Sequence, residues 1–438
     1  MGVFSRVDWL PEGQNFWLFV ALHRFHPLSI SRDPGHVAWV LAQQICLRGC
    51  QALKFLVAAR WLGPEAFALV AVAMTVLLVA EALSDTGLGP AMVQRDAPLT
   101  PQELGAVWSL QWVRGLCLAM VLWLARDPLA ALFSLPQAAE LIGLVACIPL
   151  VRNAVHPGYV LLQRERAFRS VSLVESSGAL VDLTVTCGAL KLGAGPVALV
   201  WGTLSSDLWR LLAGAWLARQ PWQPNLQWHR IVALGQFGLW VWATSALAVL
   251  LNQFDKVVVA RWLGGVEFGL YQTAARLAQL VVTDLPSAAS QHAFANLSRA
   301  FHAHGVPGAQ PLFWRYFGWT ALAAGVLATL LAAAAGPLLN FVLGPAWLAA
   351  VPALQMQCLA MWVGALMAMA VAQVRAIGRP GWVVQAVLIQ AVTLGALAWP
   401  AIQWRGGAGM AAAAAMAGAL GLAFLMWRLQ ACQQGAKV

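Results

Sequence analysis

Six basic side chains, Arg48, Arg114, Arg152, Arg210, Lys256 and Arg276, stand inside long apolar runs of this chain, and Lys54 stands in another. Acidic residues share such runs: Glu81, Glu175, Asp182, Asp207, Asp255 and Asp284. A charge at mid-membrane costs about 2.5–3.5 kcal/mol on insertion scales, so each should face a wet interior or a partner. A guanidinium presents a planar fork of N–H donors suited to phosphate or carboxylate oxygens. A desolvated carboxylate can carry a proton. Anion binding by Arg48, Arg114, Arg152, Arg210, Lys256 and Arg276, and ion coupling by Glu175, Asp182 and Asp255, are therefore the chemistries to look for. The sequence shows no Ser/His/Asp triad, Walker loop or metal-ligand cluster, so no catalytic residue, cofactor or metal is expected.

Helical spacing gathers these residues into stripes. Gln44, Arg48 and Gln51 fall on one helix face, as do Gln272, Arg276, Gln279 and Thr283. Glu175, Asp182 and Thr186 form a third stripe, and Thr203, Asp207 and Arg210 a fourth. Structural readings compete for some of them. Asp207 and Arg210, three apart, are placed to neutralise each other. Asp255 points partly away from Lys256 and looks for a partner on another helix or a substrate. Lys54 and Asp284, near span ends, are expected to snorkel. Arg48, Arg114 and Arg276 sit deepest without an adjacent acid and are read as lining a cavity. His302 and His304 are read as a solvated pair, and Trp108 and Trp112 as core or interfacial rings rather than a sugar platform.

The elements that position these residues are membrane helices. Apolar residues make up 61% of the chain and charged residues 10%, against about 25% charged in soluble domains. The seven Cys show no CxxC spacing and read as small hydrophobes. A span needs about 20 apolar residues. That ruler places twelve, near 37–59, 66–84, 102–125, 138–162, 168–190, 196–218, 231–259, 265–286, 312–335, 346–373, 380–403 and 407–429. Residues 1–36 read as a cytoplasmic extension, 219–230 as a cytoplasmic linker and 431–438 as a cytoplasmic tail. With both termini inside, cytoplasmic segments and the span ends beside them carry fifteen Lys and Arg and outer loops five, the asymmetry expected of a multi-pass membrane protein. The net charge of +10 thus has a topological account without nucleic acid. The outer loops leave no room for an extramembrane catalytic domain.

The phrase "ARWLG" occurs at 59–63 and again at 260–264, followed by Phe67 and Phe268 at equal spacing. Each copy lies at the outer end of the first span of a set of six. Six spans per half preserve orientation, so the chain reads as a parallel repeat, residues 37–218 and 231–430, two all-α six-helix lobes around a central cavity. "GGAGMAAAAAMAGALG" (406–421) reads as close helix packing through small residues.

Two segments carry a family likeness. "RWLGPEAFALVAVAMTVLLVAEALSDTGLGPAMVQRDAPLT" (60–100) resembles the opening signature of Wzx-type polysaccharide exporters. These form a branch of the multidrug/oligosaccharidyl-lipid/polysaccharide flippase superfamily. "LNQFDKVVVARWLGGVEFGLYQTAARL" (251–277) resembles their second-half signature. The resemblance implies a MATE-like two-lobe transporter that is not an enzyme. It implies transfer of undecaprenyl-pyrophosphate-linked oligosaccharide across the bacterial inner membrane for surface polysaccharide, driven by a proton or sodium gradient. Expected partners are that lipid-linked substrate and membrane lipids, with polymerase and chain-length proteins as candidate neighbours and a monomer as the expected state. The competing readings are a multidrug–cation antiporter, whose cavity should be more acidic and aromatic, and a membrane component of glycan polymerisation or ligation.

The charge asymmetry makes a direct prediction. Reporter fusions after Leu226 and after Arg428 should both read cytoplasmic, and a periplasmic signal at either would overturn the twelve-span map.

Overall fold

The computed structural model describes residues 34–85, 100–156, 159, 162, 168–218, 249–250, 252–283, 287–379 and 381–435. The extension up to residue 33, the linker at 219–230, the opening of the expected seventh span (231–248) and Asp284 lie outside the described residues. The described elements are helical. The N-terminal half contributes α1 (Pro34–Ser84), α2 (Pro101–Leu124), α3 (Arg126–Leu132), α4 (Ala138–Val145), α5 (Cys147–Asn153), α6 (Phe168–Lys191) and α7 (Val197–Ala218). After a helix over 252–263, the C-terminal half contributes α8 (Gly265–Ala278), a π-helical turn (Gln279–Thr283), α9 (Ser287–Ala333) and α10 (Ala335–Val342). It ends with a 3₁₀ turn (Pro345–Ala350), α11 (Val351–Ala376) and α12 (Gly381–Gly435).

Six described helices are long and apolar enough to cross a bilayer. Two of them, Ala42–Ser84 and Gly381–Cys432, run to 43 and 52 residues, about twice what one crossing needs. Each breaks near its middle, at Gly63 and at Arg405–Gly406. Elsewhere the helix ends follow local chemistry. Thr100 caps α2 by accepting from the Glu103 N–H, while the Glu103 carboxylate accepts from the Thr100 N–H at 2.9 Å. This reciprocal box, with Pro101 at the first helical position, sets the start of the helix.

The repeated phrase builds the same corner twice. Ala59 and Ala260 are fully buried. Trp61 and Trp262 are 49% and 50% exposed, as interface-anchoring rings should be. Gly63 (φ 71, ψ 173) and Gly264 (φ 84, ψ −178) both adopt the positive φ that glycine tolerates without steric cost. Phe67 and Phe268 then turn into the core. The recurrence in sequence is thus a recurrence of backbone geometry and burial, position by position.

These two corners are where the halves meet. A Cβ on Gly269 would collide with the Pro64 carbonyl and touch the Ala68 Cβ at 3.4 Å, so α8 approaches the second segment of α1 backbone to backbone. Trp347, 1% exposed, donates its indole N–H to the Ala59 carbonyl at 3.2 Å and packs edge-on against Phe67 with centroids 6.0 Å apart. One hydrophobic cluster runs through both halves here, including Phe67, Leu135, Phe268 and Trp347. The 406–421 segment packs as its composition suggested: a Cβ on Gly418 would lie 3.1 Å from Val363 on α11. Trp108 is a core ring, donating to the Ala154 carbonyl at 3.0 Å, while Trp112 is exposed.

The close approach at Gly269 yields a stability prediction. Gly269→Ala should destabilise the protein by about 1–3 kcal/mol through overpacking, read as a lower unfolding temperature in detergent. Gly318→Ala is the control: a Cβ there meets nothing within 4 Å, so stability should hold or rise.

Candidate functional site

The polar interior of the N-terminal half is a chain of alternating charges. Arg152, in the last turn of α5, donates through Nη1 to both Glu81 oxygens at 2.9 Å. Through Nε and Nη2 it also donates to Asp207 Oδ2 at 3.1 and 2.9 Å. Asp207 is buried on α7, and its other oxygen accepts from Arg210 Nη1 at 3.1 Å. Arg210 then grips Glu175 of α6 with a two-pronged fork, Nε to Oε1 at 3.0 Å and Nη2 to Oε2 at 2.8 Å. The Tyr159 hydroxyl donates to the same Glu175 at 3.1 Å. Glu81, Arg152, Asp207, Arg210 and Glu175 therefore join α1, α5, α7 and α6 in one continuous path.

A second pair lies beside this chain. Lys54 Nζ is 2.6 Å from Asp182 Oδ1 and also donates to Thr203 Oγ1 at 3.1 Å. Thr186 adds a bond to the same Asp182 oxygen at 3.4 Å. Between the chain and the pair is a cavity of about 170 Å³ whose lining includes Arg152, Glu175, Asp182, Thr203, Asp207 and Arg210. Four carboxylates (Glu81, Glu175, Asp182 and Asp207) face three cations (Lys54, Arg152 and Arg210) across these contacts. These seven groups hold one more carboxylate than cations, and Arg114 stands at the edge of the group, donating to the Glu81 carbonyl at 3.0 Å.

The C-terminal half encloses a larger cavity of about 590 Å³ with different chemistry. Lys256 and Arg276 line it, accompanied by the carboxamides of Asn252, Gln272, Gln279 and Gln357. Lys256 Nζ donates to Gln253 Oε1 at 2.8 Å, and Arg276 Nη1 donates to Gln279 Oε1 at 3.2 Å. Asp255, also on the wall, accepts from the fully buried Tyr271 hydroxyl at 2.6 Å. The π-turn begins at Gln279, directly after the helix that carries Arg276. Such turns inside α-helices are frequent at functional sites. The contrast is in what the cavity-lining cations donate to: carboxylates accept from Arg152 and Arg210, while carboxamides accept from Lys256 and Arg276.

The expected site residues thus divide into three groups. Arg152, Arg210, Glu175 and Asp182 come together around the small cavity, and Lys256, Arg276 and Asp255 around the large one. Arg48 is exposed together with Gln44 and Gln51, its companions on the stripe. Arg114 binds the Ser84 hydroxyl at 3.1 Å and the Glu81 carbonyl at 3.0 Å, and lies 3.8 Å from Asp85. It is therefore not without an acid, because the end of α1 lies beside Arg114 on α2.

Lys54 departs from the snorkelling expectation, since α6 brings Asp182 to its tip. The Asp207–Arg210 pair exists, but as one link of a longer chain. Asp255 finds its partner one helix on, at Tyr271. Sequence reasoning passed over Gln357 and Gln390, which line the large cavity. Their signal was available as uncharged polar residues inside apolar spans.

Residues 57–352, more than half of the chain, match the family described as polysaccharide biosynthesis protein. The lipopolysaccharide biosynthesis protein WzxC of Escherichia coli (strain K12) is 24% identical over 242 residues, 55% of this chain and 49% of that protein. The succinoglycan biosynthesis transport protein ExoT of Rhizobium meliloti (strain 1021) is 27% identical over 252 residues, 56% of this chain and 49% of its own length. The chain spans about half the length of these curated relatives. The structure of the lipid II flippase MurJ in an inward closed conformation superposes with a TM-score of 0.72 at 13% identity, covering 90% of this chain and 87% of that one. An inward-facing multidrug resistance MATE family transporter of the MOP superfamily also gives 0.72, at 17% identity, covering 89% and 96%. At such identities the likeness concerns the fold, and it agrees with the resemblance carried by residues 60–100 and 251–277. On these matches the chain belongs to the polysaccharide biosynthesis protein family, and its helices take the fold shared by MurJ and the MATE transporters.

Proposed function

We propose that this protein translocates a lipid-linked oligosaccharide, an undecaprenyl-pyrophosphate carrier bearing the glycan, across the bacterial inner membrane for surface polysaccharide assembly. Both termini are cytoplasmic in this reading, and the two lobes rock about the seam between the ARWLG corners. The observation that carries it is the large C-half cavity, cationic and amide-lined, in a chain of a polysaccharide biosynthesis family. A lipid pyrophosphate must exchange hydration for fixed donors, and guanidinium forks supply them. Arg48 and Arg114 from one lobe and Arg276 from the other are the headgroup ligands, with Lys256 adding positive potential. Arg152 and Arg210, already gripped by carboxylates, belong with Glu175 and Asp182 in an ion-coupling network. Binding of a proton or sodium ion there would offset the excess carboxylate and loosen the links between α1, α5, α6 and α7. The antiporter reading fits less well, because an organic cation would meet Lys256 and Arg276, while Asp255 already holds a hydrogen bond from Tyr271.

Complementation of a flippase-null strain tests the headgroup assignment, with surface glycan and accumulated lipid-linked precursor both measured. Arg276→Ala should cut surface glycan at least tenfold and build up precursor at normal protein levels. Arg276→Lys, which keeps charge but loses the fork, should fall between Ala and wild type. Full surface glycan from Ala variants of Arg48, Arg114 and Arg276 would sink the cationic mechanism.

The coupling assignment needs a test that separates it from mere structure. Removing one member of a buried ion pair costs about 3–5 kcal/mol, because the other is left uncompensated. Asp182→Asn alone should therefore lower both protein level and export. The pair Lys54→Met with Asp182→Asn should restore the level, since no orphan charge remains, yet leave gradient-driven export absent. Glu175→Gln should likewise abolish export. Recovery of export by the double variant would make Asp182 structural.

A further inference from the structure

The carboxamides of the C-half cavity are not accounted for by a pyrophosphate. Asn252, Gln272, Gln279, Gln357 and Gln390 all line it. Gln357 is 2% exposed and already hydrogen-bonded to Tyr271, whereas the Gln272 Oε1 is buried with no hydrogen-bond partner among the described residues. A buried acceptor without a donor is unfavourable until one arrives. Phosphate oxygens are acceptors only, so they can take the amide N–H donors but leave the amide oxygens unmet. A sugar hydroxyl donates and accepts, as a carboxamide does, and so matches it group for group. Met361, Met367 and Leu394 complete the wall and offer apolar surface to the C–H faces of a sugar ring. The volume of about 590 Å³ lies within the roughly 300–1,000 Å³ typical of small-ligand sites.

We propose that this cavity is the glycan subsite, where Gln272, Gln390 and their neighbouring amides bind the sugar nearest the carrier while Arg276 holds the anionic end. It rests on the transport reading and names the part of the substrate that each group meets.

The test uses the full chain in nanodiscs and two probes: the free oligosaccharide repeat unit, without lipid or phosphate, released from the producing strain's polysaccharide, and inorganic pyrophosphate. The oligosaccharide should bind the wild type. Gln272→Leu and Gln390→Leu should each weaken it about tenfold, the loss of one hydrogen bond, and leave pyrophosphate binding unchanged. Arg276→Ala should do the reverse. Unfolding temperatures confirm that the variants fold, and Gln272→Asn, which keeps an amide, should lose less than Gln272→Leu. Oligosaccharide binding that is absent from the wild type or indifferent to both Leu variants would overturn the subsite. Export by the wild type in the complementation assay is the separate criterion for the transport reading, so the two failures are distinguishable.

A different observation carries a second inference. The two repeated arginines reach across the seam in opposite directions. Arg60 Nη1 donates to the Phe341 and Val342 carbonyls, both at 2.8 Å, at the C-terminus of α10 in the other half. Arg261 Nη1 donates to Ser134 Oγ at 2.8 Å and to the Ala131 carbonyl at 3.5 Å, at the C-terminus of α3 in its opposite half. Ser134, held at φ 54 in the left-handed region, returns a bond to the Arg261 carbonyl at 3.2 Å. Helix C-termini carry unsatisfied carbonyls and partial negative charge, so each is a natural seat for a cation. Leu135 fills the space where a Cβ of Gly265 would stand.

We infer that Arg60 and Arg261 form a reciprocal latch that keeps this end of the protein shut and lets go when the lobes part. Hydrogen exchange on the full chain in nanodiscs reads it directly. Arg60→Ala should speed exchange at least tenfold in α10 and the following turn, residues 335–347. Arg261→Ala should do the same at 126–135, and neither should alter α6. The Lys variants should give smaller increases. Exchange raised only near the mutated residue, or in all helices together, would overturn the latch.

Discussion

Inside a hydrocarbon layer no water completes a hydrogen bond or screens a charge, so every polar group must be satisfied by the protein itself. The seven basic residues within the spans of this chain are all subject to that constraint. In the N-terminal half it is met by direct pairing, which ties four helices through Arg152 and Arg210. The same pairing limits what those arginines can do. A guanidinium with carboxylates on two sides has few donors left for a ligand.

The C-terminal half meets the constraint differently. Its cations donate to carboxamides, weaker partners than carboxylates and easier to displace. A parallel repeat begins with equivalent positions in both halves, yet here the two interiors have diverged. One has an excess of carboxylate around a cavity of about 170 Å³, and the other has amides and cations around about 590 Å³.

The repeat survives where divergence would break the seam. At the two ARWLG corners, glycine allows the positive φ, alanine and phenylalanine fill the joint core, and arginine reaches the helix end opposite.

Much of this was legible in the chain alone. Apolar runs of about 20 residues require membrane helices wherever they occur, since the requirement depends on composition and not on neighbours. The offset copies of one phrase pointed to the repeat, and charge inside apolar runs marked the residues that need an interior. Three-dimensional partnership is another matter, because it depends on which helix faces stand side by side. Lys54 lies 128 positions from Asp182 and Arg152 lies 71 from Glu81, separations that no helical spacing links. Only packing could decide that Lys54 is paired rather than snorkelling. Packing likewise decided that Asp207 bridges two arginines, and that Gln357 and Gln390, from distant helices, share a wall with Arg276.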